Sequence, residues 1–514
     1  MKIKHVFYLL FVFIYPWDSE IKAISIPKQI VVAGKIDNYD PERPITLYVN
    51  RLGYIKADGI DAKADSLGNF IAIFESYHPT DVWITYKANF LVLLHPTDSL
   101  FVHFDGKYNN RPELLASIKF SGDAAKTNQD VAKFQQMYFS HENYADWDKK
   151  SRTVKEYDTE QYLQYLDTIK RQNKELYDKF VAENSPNEET KKWALIYIES
   201  DYYENLANYA RGHREANGMN AMIKRGNNNY DFVDNWDVPK GFYDRLLDRL
   251  PIDSSMFIST YALRLFAERF NIYVVDNLRD RNIDGGVLPG GRLLARAKIV
   301  DSIIIHSTIE FVPDPLLLQI MLTGIFNKEF EKQDIATFEK YRELADTYIK
   351  EPFLKEPIFQ KYLQTKARIE NPKIYTEAIL KDVSHSSVNQ IVDSIMQSNK
   401  NKVIYVDFWA TWCGPCLGEM PNSKIVEDEM KDKDVAFVYI CLESEEQKYK
   451  ATISKFQLGG QHYFLTRQQS QEIRTLFEIS GIPFYLLIDK NGVITEKGSH
   501  LRPLDAKSKL KNLL

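Results

Sequence analysis

Two cysteines three residues apart, Cys413 and Cys416, are the residues of this chain best suited to covalent chemistry. They lie in the stretch DFWATWCGPCLGEMP, where an apolar run that predicts a strand gives way to a predicted helix. Pro415 suits the first helical turn, because its missing N–H would have no partner there. At a helix start, Cα atoms three residues apart come within about 5–6 Å, which a disulfide can span. The pair can therefore cycle between dithiol and disulfide without large backbone movement.

The predicted helix start gives the two sulfurs different roles. Free N–H groups and the positive end of the helix dipole stabilise a thiolate there and lower its pKa. The thiolate is the species that attacks a disulfide. We therefore expect Cys413 to be the exposed nucleophile and Cys416, one turn further in, to be the shielded thiol that resolves the mixed disulfide.

Two acidic side chains near the pair are candidates for moving its proton. Asp407 lies inside the apolar run VIYVDF, and burial of an acid in such a strand raises its pKa. Glu419 follows Cys416 by three residues and so lies on the same face of the predicted helix. Each acid also has a plainer interpretation. Backbone groups could satisfy Asp407, and Glu419 could be an exposed acid that complements the helix dipole.

A metal site and a protease-like nucleophile are the rival interpretations of the cysteine pair. Zinc takes four ligands, usually a second cysteine pair or two spaced histidines, and the sequence offers neither. A protease-like cysteine needs a histidine with an orienting partner, and nothing ties His462 or His500 to Cys413. The third cysteine, Cys441, ends a predicted core strand and is interpreted as buried packing. We expect no metal, and no cofactor beyond the disulfide of Cys413 with Cys416.

The 514 residues fall into four parts by pattern. In residues 1–23, Lys2 and Lys4 precede ten apolar residues, which is the plan of a secretory signal. Ten residues are too few for a membrane span, which needs about 20. Residues 24–123 are short β-rich runs between turn signals, which predict an antiparallel sandwich or barrel. Apolar residues at three- and four-residue spacing predict an all-α region over residues 124–371. Strands and helices alternate over residues 372–514, which predicts an α/β fold with helices on both faces of a sheet.

Composition narrows the class of partner and the cell compartment. The formal charge is only −5 and no basic stripe is present, so we expect no nucleic acid partner. Three cysteines in so long a chain indicate working thiols, whereas a disulfide scaffold would use many more. With the secretory signal, this predicts a periplasmic or cell-envelope protein, whose signal is either cleaved or kept as an anchor.

The stretch VDFWATWCGPC resembles the active-site signature of thioredoxin almost letter for letter. GIPFYLLID resembles the strand that begins with the cis-proline of that family. An extra helix between VYICLES and HYFL, together with CLGEMP, resembles the TlpA/ResA branch of extracytoplasmic thiol-disulfide oxidoreductases. The resemblance covers residues 372–514 and implies a thioredoxin fold, with Cys413 as the nucleophile and Cys416 as the resolving thiol.

The resemblance also implies roles for residues around the pair. Trp412 would pack beside the cysteines, and Ile482 and Pro483 would present backbone to an extended substrate. Pro483 would follow a cis peptide bond and lie against the disulfide. Asp407 matches the buried acid of thioredoxins, whereas Glu419 matches the active-site glutamate of the ResA-type branch. Having both acids departs from either pattern and leaves open which one moves the proton.

The N-terminal parts resemble an architecture of Bacteroidetes-type bacteria. HPTDSLFVHFD, followed by IKFSGDAAKTNQDVAKF, resembles the β-domain fused ahead of TlpA-like thioredoxins, with Thr97 where the usual form has glycine. The helical middle resembles the spacer of the same architecture. Neither resemblance implies a function for these regions.

These patterns predict an extracytoplasmic thiol-disulfide oxidoreductase that reduces disulfides of envelope proteins. Gly-Pro between the cysteines is the choice of thioredoxin, whose potential is about −270 mV against about −120 mV for the oxidising DsbA. Its partners would be protein thiol or disulfide clients, such as apocytochrome c, and a membrane thiol reductase as electron donor. Two alternatives stay open. One is an envelope binding or scaffold protein with an accessory thioredoxin domain; the other is a peroxiredoxin-like peroxidase, whose Pro-x-x-x-Thr-x-x-Cys setting is absent.

Overall fold

The structure is a computed structural model, and it describes residues 26–54, 57–219, 222–225, 229–232, 236–247, 259–278, 287–288, 292–293 and 297–514. The predicted signal, residues 1–23, lies outside the described residues. The chain separates into two compact units, Met1–Met321 and Leu322–Leu514. The finer predicted divisions, after residues 123 and 371, remain predictions.

The N-terminal part of the first unit consists of short strands and one helix: β1 (Lys28–Asp37), β2 (Thr46–Val49), β3 (Asp58–Asp61), β4 (Lys63–Ala64), β5 (Asn69–Ser76), β6 (Thr80–Thr85), β7 (Asn89–Leu94), β8 (Ser99–Asp105), α1 (Arg111–Ser117) and β9 (Lys119–Gly122). The strands form two sheets, in the orders β4-β5-β1-β8-β9 and β3-β2-β6-β7. Residues of both sheets, Phe70 and Val82 among them, belong to one hydrophobic cluster. The predicted β-rich region is therefore present, and its closure as a sandwich or barrel remains a prediction.

One strand pair departs from the antiparallel prediction. β1 and β8 are parallel, with Val31 opposite Ser99 and Asp37 opposite Asp105. Parallel neighbours need a long crossover, whereas antiparallel neighbours need only a short turn. Here the connection contains β2 to β7 and is long enough for a parallel pair. The strand spacing in the sequence does not reveal which distant strands pair.

The following region is helical and contains α2 (Ala125–Ser140), α3 (Glu142–Ala145), α4 (Trp147–Glu156), α5 (Thr159–Asn184), α6 (Glu188–Ala216), the 3₁₀ helix Phe242–Leu247, α7 (Thr260–Asp276), α8 (Ala297–Phe311), α9 (Pro315–Glu331), α10 (Ala336–Lys340), α11 (Arg342–Tyr348) and α12 (Pro352–Glu370). Asp158 starts α5, because its carboxylate accepts the N–H of Gln161 at 2.9 Å. Asn187 starts α6 in the same way, accepting the N–H of Thr190 at 2.8 Å.

The prediction of an all-α middle region is wrong in one respect. Two short antiparallel pairs interrupt the helices: β10 (Met222–Arg225) with β11 (Asn229–Phe232), and β12 (Val287–Leu288) with β13 (Arg292–Leu293). Helical spacing dominates the region and masks these short strands.

The second unit contains one mixed sheet with helices around it: β14 (Ala378–Lys381), α13 (Val388–Ser398), β15 (Val403–Trp409), α14 (Gly414–Glu429), β16 (Val435–Cys441), α15 (Glu446–Phe456), β17 (Gly460–Phe464), α16 (Arg467–Phe477), β18 (Phe484–Ile488), β19 (Ile494–Gly498) and α17 (Pro503–Leu513). The strand order is β14-β17-β16-β15-β18-β19. The first four are parallel to one another, while β18 and β19 are antiparallel to their neighbours. The turn at Asp489 to Gly492 joins β18 to β19.

The central strand, β15, is buried on both faces, because helices cover both sides of the sheet. Tyr405 and Trp409 pack in a cluster with residues of α14, α15 and α17. Ile404 and Phe408, on the opposite face, pack with residues of α13 and α16. The predicted α/β fold with helices on both faces of a central sheet is confirmed.

The second unit also includes the end of the helical region. Glu331 at the end of α9 pairs with Lys361 of α12 and with Lys455 of α15. Burial would raise the pKa of Glu331, but the two lysines outweigh burial and lower it to about 2. These ion pairs connect α9 and α12 to the helix layer over the mixed sheet.

Candidate active site

Cys413 and Cys416 lie where the sequence predicts, at the point where the chain leaves β15 and enters α14. Cys413 is the N-cap of α14 in extended backbone, and the N–H of Cys416 donates to its sulfur at 3.2 Å. The two sulfurs form a disulfide, with 5.3 Å between the Cα atoms. A bond across one helical turn, directly at the helix start, is the arrangement needed for reversible thiol–disulfide exchange.

The exposure of the pair differs from the prediction. Cys413 is 4% exposed and Cys416 is 1% exposed, so the first is the more accessible, but neither is an exposed side chain. Both belong to the hydrophobic cluster that includes Leu417 and Met420 of the same helix. Only a small part of Cys413 therefore reaches the surface when the disulfide is formed.

The surface beside the disulfide is open. Trp412 is 49% exposed, and its Nε1–H donates to the carbonyl of Glu443 at 2.9 Å, which fixes the ring. A methyl group placed on Gly414 or on Gly481 would meet no atom within 4 Å. At Gly414, which lies between the two cysteines, no described residue therefore covers the surface.

Ile482 and Pro483 lie directly before β18, and the peptide bond between them is cis, as the resemblance implies. Pro483 is buried, and the partly buried Ile482 packs against the cluster that contains both cysteines. The pairing of β18 with β15 starts at Phe484. Ile482 precedes the first of these pairs, so its backbone takes no part in the described pairing of β18 with β15.

Asp407 lies in the middle of β15 and is 1% exposed. Its Oδ1 has no hydrogen-bond partner among the described residues, so backbone groups do not satisfy that oxygen. Alternate residues of a strand share a face, which places Asp407 on the side of Tyr405 and Trp409, toward the cluster that contains the cysteines. Burial, and secondly the charge of Glu419, raise the pKa of Asp407 well above its ordinary value. Such a carboxyl can hold and release a proton at higher pH than an exposed one.

Glu419 lies in the second turn of α14, and its carboxylate has two partners. One oxygen accepts from Nη1 of Arg502, and the other accepts from Nδ2 of Asn422 at 2.9 Å. The side chain is 12% exposed, and its carboxylate raises the pKa of Arg502. Glu419 is therefore not the free, solvent-facing acid of the plainer interpretation. The sequence did not identify Arg502, which lies 83 residues away and carries no local signal.

Comparison with known proteins agrees with this geometry. Residues 401–494 match the family model described as thioredoxin-like. Thiol-disulfide oxidoreductase ResA of Oceanobacillus iheyensis is 28% identical over 125 residues, which are 24% of this chain and 60% of that protein. The C-terminal region therefore contains a thioredoxin-like domain. Thioredoxin-like protein YneN of Bacillus subtilis is 26% identical over 141 residues, which are 27% of this chain and 77% of YneN.

Two solved structures are similar to part of this chain. The solution structure of a putative thiol-disulfide oxidoreductase from Bacteroides vulgatus is 34% identical, covering 23% of this chain and 77% of that one, with a TM-score of 0.21. A thioredoxin family protein from Chlorobium tepidum, described as a thiol:disulfide interchange protein, is 23% identical, covering 23% and 83%, with a TM-score of 0.22. These relatives and solved structures cover about a quarter of the chain. They therefore do not establish the activity of the whole protein.

The third cysteine and the two histidines considered in the sequence have environments of their own, apart from the cysteine pair. Cys441 is a free, buried thiol, and burial raises its pKa to about 12. His462 is buried, with its Nε2 2.6 Å from the carbonyl of Gly459, and burial lowers its pKa to about 4. His500 pairs on the surface with Glu496 at 2.8 Å. None of these contacts joins a histidine to the cysteine pair.

Two further findings concern the part of the chain that the structure describes. Within it, no three His, Cys, Asp or Glu side chains are grouped so that they could hold a metal ion. Within the same ranges, no helix combines the length and the apolar character that crossing a bilayer requires.

Proposed function

We propose that this protein is an extracytoplasmic thiol-disulfide oxidoreductase that reduces disulfides of envelope proteins through Cys413 and Cys416. The observation that carries the proposal is the disulfide at the start of α14, which lies beside an open surface. The relatives named thiol-disulfide oxidoreductase ResA support the same reaction class. The sulfur of Cys413 and the backbone of Ile482 are the groups that a client would meet first.

The reaction starts from the dithiol. The thiolate of Cys413 attacks one sulfur of a client disulfide, forms a mixed disulfide and releases the other client sulfur as a thiolate. Cys416 then loses its proton and attacks the sulfur of Cys413, which closes the enzyme disulfide and releases the second client thiol. The client gains two electrons and the enzyme loses two. A thiol donor, for which we propose a membrane thiol reductase, returns the pair to the dithiol.

Asp407 is the better placed of the two acids to take the proton of Cys416. Its carboxyl is buried on the cysteine side of the sheet, with one oxygen unpartnered among the described residues. Glu419 is engaged by Arg502 and Asn422, so proton transfer there would break an existing ion pair. We therefore assign proton transfer to Asp407 and assign to Glu419 the task of holding Arg502 beside the active-site helix.

Client binding is proposed to use the segment before β18. An extended peptide can add to an unpaired backbone edge through main-chain hydrogen bonds. Ile482 and Pro483 offer such an edge next to the cluster that contains the cysteines, and Trp412 offers an exposed ring. Because backbone recognition depends little on client sequence, this mode suits an enzyme with several envelope clients.

Reduction of insulin tests the proposed reaction. With dithiothreitol as donor, we expect the purified protein to precipitate the insulin B chain, and Cys413→Ser to abolish this activity. Cys441→Ser is the matched control, because Cys441 is free, buried and outside the proposed reaction; it should keep wild-type turnover. Retained turnover in Cys413→Ser would refute the assignment.

A second candidate function is an envelope binding protein with an accessory thioredoxin domain. The observation that favours it is a large cavity in the first unit, which lies among residues with no part in the proposed thiol chemistry. Binding and reduction are compatible in one chain, so each is tested by its own measurement.

A further inference from the structure

The first unit contains a cavity of about 970 Å³. Sites for small organic molecules commonly have volumes of about 300–1,000 Å³. Its lining combines strand residues with residues of the seven helices α1 to α7. Aromatic rings are prominent in it, among them Trp83, Phe139, Tyr144, Tyr197 and Tyr261. The cavity is thus large enough, and apolar enough, for a flat organic ligand.

Arg111, the first residue of α1, presents its guanidinium to this cavity. The guanidinium lies 4.0 Å from the ring centroid of Phe139 and 5.3 Å from that of Trp83, and its Nη2 donates to Oδ1 of Asn89. An amide and two rings therefore fix the position of the charge.

The charge of Arg111 has no carboxylate partner among the described residues; the ionisable groups that act on it are the phenols of Tyr197, Tyr144 and Tyr261. Burial lowers the pKa of Arg111, yet an arginine stays protonated in proteins. A guanidinium has five N–H donors, so donors remain for a ligand after the bond to Asn89. A bound anion would offset the desolvation of this cation.

Asp81, which is fully buried on β6, joins this strand to the start of α7 in the wall of the cavity. Its carboxylate accepts from Oγ of Ser259 at 2.7 Å, from Oγ1 of Thr260 at 2.9 Å and from the N–H of Tyr261 at 2.8 Å. These bonds fix the start of α7 on the strand that carries Trp83, and the rings of Trp83 and Tyr261 meet edge to face at 5.8 Å. The aromatic wall is therefore formed before any ligand arrives.

The other charges of the lining limit the charge of the ligand. Six further charged side chains line the cavity: Lys150, Arg211 and Arg264 are positive, and Asp201, Glu204 and Glu215 are negative. These six charges balance, so Arg111 leaves one net positive charge, which matches a singly charged anion better than a doubly charged phosphate. A carboxylate carries one charge and matches the planar fork of an arginine in two parallel hydrogen bonds. Flat apolar groups pack well against the surrounding rings.

We propose that this cavity binds an organic carboxylate, with its carboxylate on Arg111 and its flat apolar body against the rings of Trp83, Phe139 and Tyr261. This binding function lies outside the thiol chemistry and uses none of its residues. It gives the first unit a role of its own.

A pair of fluorescent probes tests the proposal on the unmodified protein. 1-Pyrenebutyrate carries a carboxylate, and 1-pyrenebutanol has the same ring and chain with a hydroxyl in its place. We expect the carboxylate to bind about tenfold more tightly or better, as a charge-assisted bidentate contact provides. Equal affinity of the two probes, or no binding of the carboxylate at millimolar concentration, would overturn the proposal.

Variants of the full chain locate the carboxylate. Arg111→Gln should weaken 1-pyrenebutyrate about tenfold and leave 1-pyrenebutanol unchanged, since only the charged contact is lost. Arg152→Gln, which removes an exposed arginine of α4 that does not line the cavity, should change neither affinity. Undiminished preference for the carboxylate in a folded Arg111→Gln protein would contradict the assignment. If that variant does not fold, the two probes on the unmodified protein decide. Cys413→Ser should bind both probes normally, which separates this site from the redox function.

Discussion

At the residue scale, the proposed chemistry depends on Asp407, a carboxyl that β15 holds out of water with one oxygen unpartnered among the described residues. Its raised pKa means that the folded protein binds this proton more tightly than the unfolded chain does. The stability that this proton contributes is complete below pH 3.8, the ordinary value, and is lost as the pH rises through the folded pKa.

Replacing the acid with its neutral amide tests this description. Asp407→Asn should raise the free energy of unfolding at pH 8, by about 1–3 kcal/mol, because the charged form no longer has to be buried. At pH 4 the gain should be much smaller, since the carboxyl is then largely protonated in the folded state. Urea denaturation at the two pH values measures the difference. An equal change at both pH values would show that the titration of Asp407 is not its cause.

Residues differ in how far the sequence predicts them. The cysteine pair was predictable because the residues that define it lie within fifteen positions of one another. The burial of Asp407 was predictable from the apolar run around it. The ion pair of Glu419 with Arg502 was not, because it joins positions 83 residues apart. The cavity around Arg111 was missed for the same reason, since its lining is collected from strands and helices far apart in the chain.

At the scale of elements, the start of α14 should make Cys413 acidic. The N–H of residue 416 donates to the sulfur of Cys413 at 3.2 Å, and the helix dipole adds to this stabilisation of the thiolate. Cys416→Ser keeps that backbone N–H and leaves Cys413 as a single thiol at the site. We expect the alkylation of Cys413 by iodoacetamide to follow a pKa below the ordinary value of about 8.5.

The third cysteine does not disturb this measurement. Cys441 is buried, and burial raises its pKa to about 12, so it should not react below pH 9. The double variant with Cys413→Ser and Cys416→Ser measures any remaining reaction. An alkylation pKa at or above 8.5 for Cys413 would contradict the role assigned to the helix start.

Elements with strong periodicity were predictable, and marginal ones were not. β15, β16 and β18 were predictable from their apolar runs, and α15 and α16 were predictable from their amphipathic spacing. β14 was missed because it is a short strand at the sheet edge, and its apolar residues are exposed, with Ile379 half exposed. α13 was missed although Ser387 and Gln390 form a capping box that marks its start.

At the scale of the whole molecule, two compact units correspond to two kinds of chemistry. The second unit holds the thioredoxin-like domain with its disulfide, and the first unit holds the aromatic cavity with its fixed arginine. The pairing of β1 with β8 and the short strand pairs in the helical region depend on tertiary contacts, which strand spacing and helical periodicity do not encode. The residue patterns predicted the structural class of each region but not these strand pairings.

The most direct test of the central claim is to trap the mixed disulfide on the full chain. Reduced Cys416→Ser protein, mixed with insulin and analysed without reducing agent, should form a covalent adduct through Cys413 that dithiothreitol releases. Cys413→Ser, treated in the same way, should form none, because Cys416 lies one turn inside the helix and is 1% exposed. An adduct that forms equally in both variants, or in neither, would contradict the assignment of Cys413 as the nucleophile.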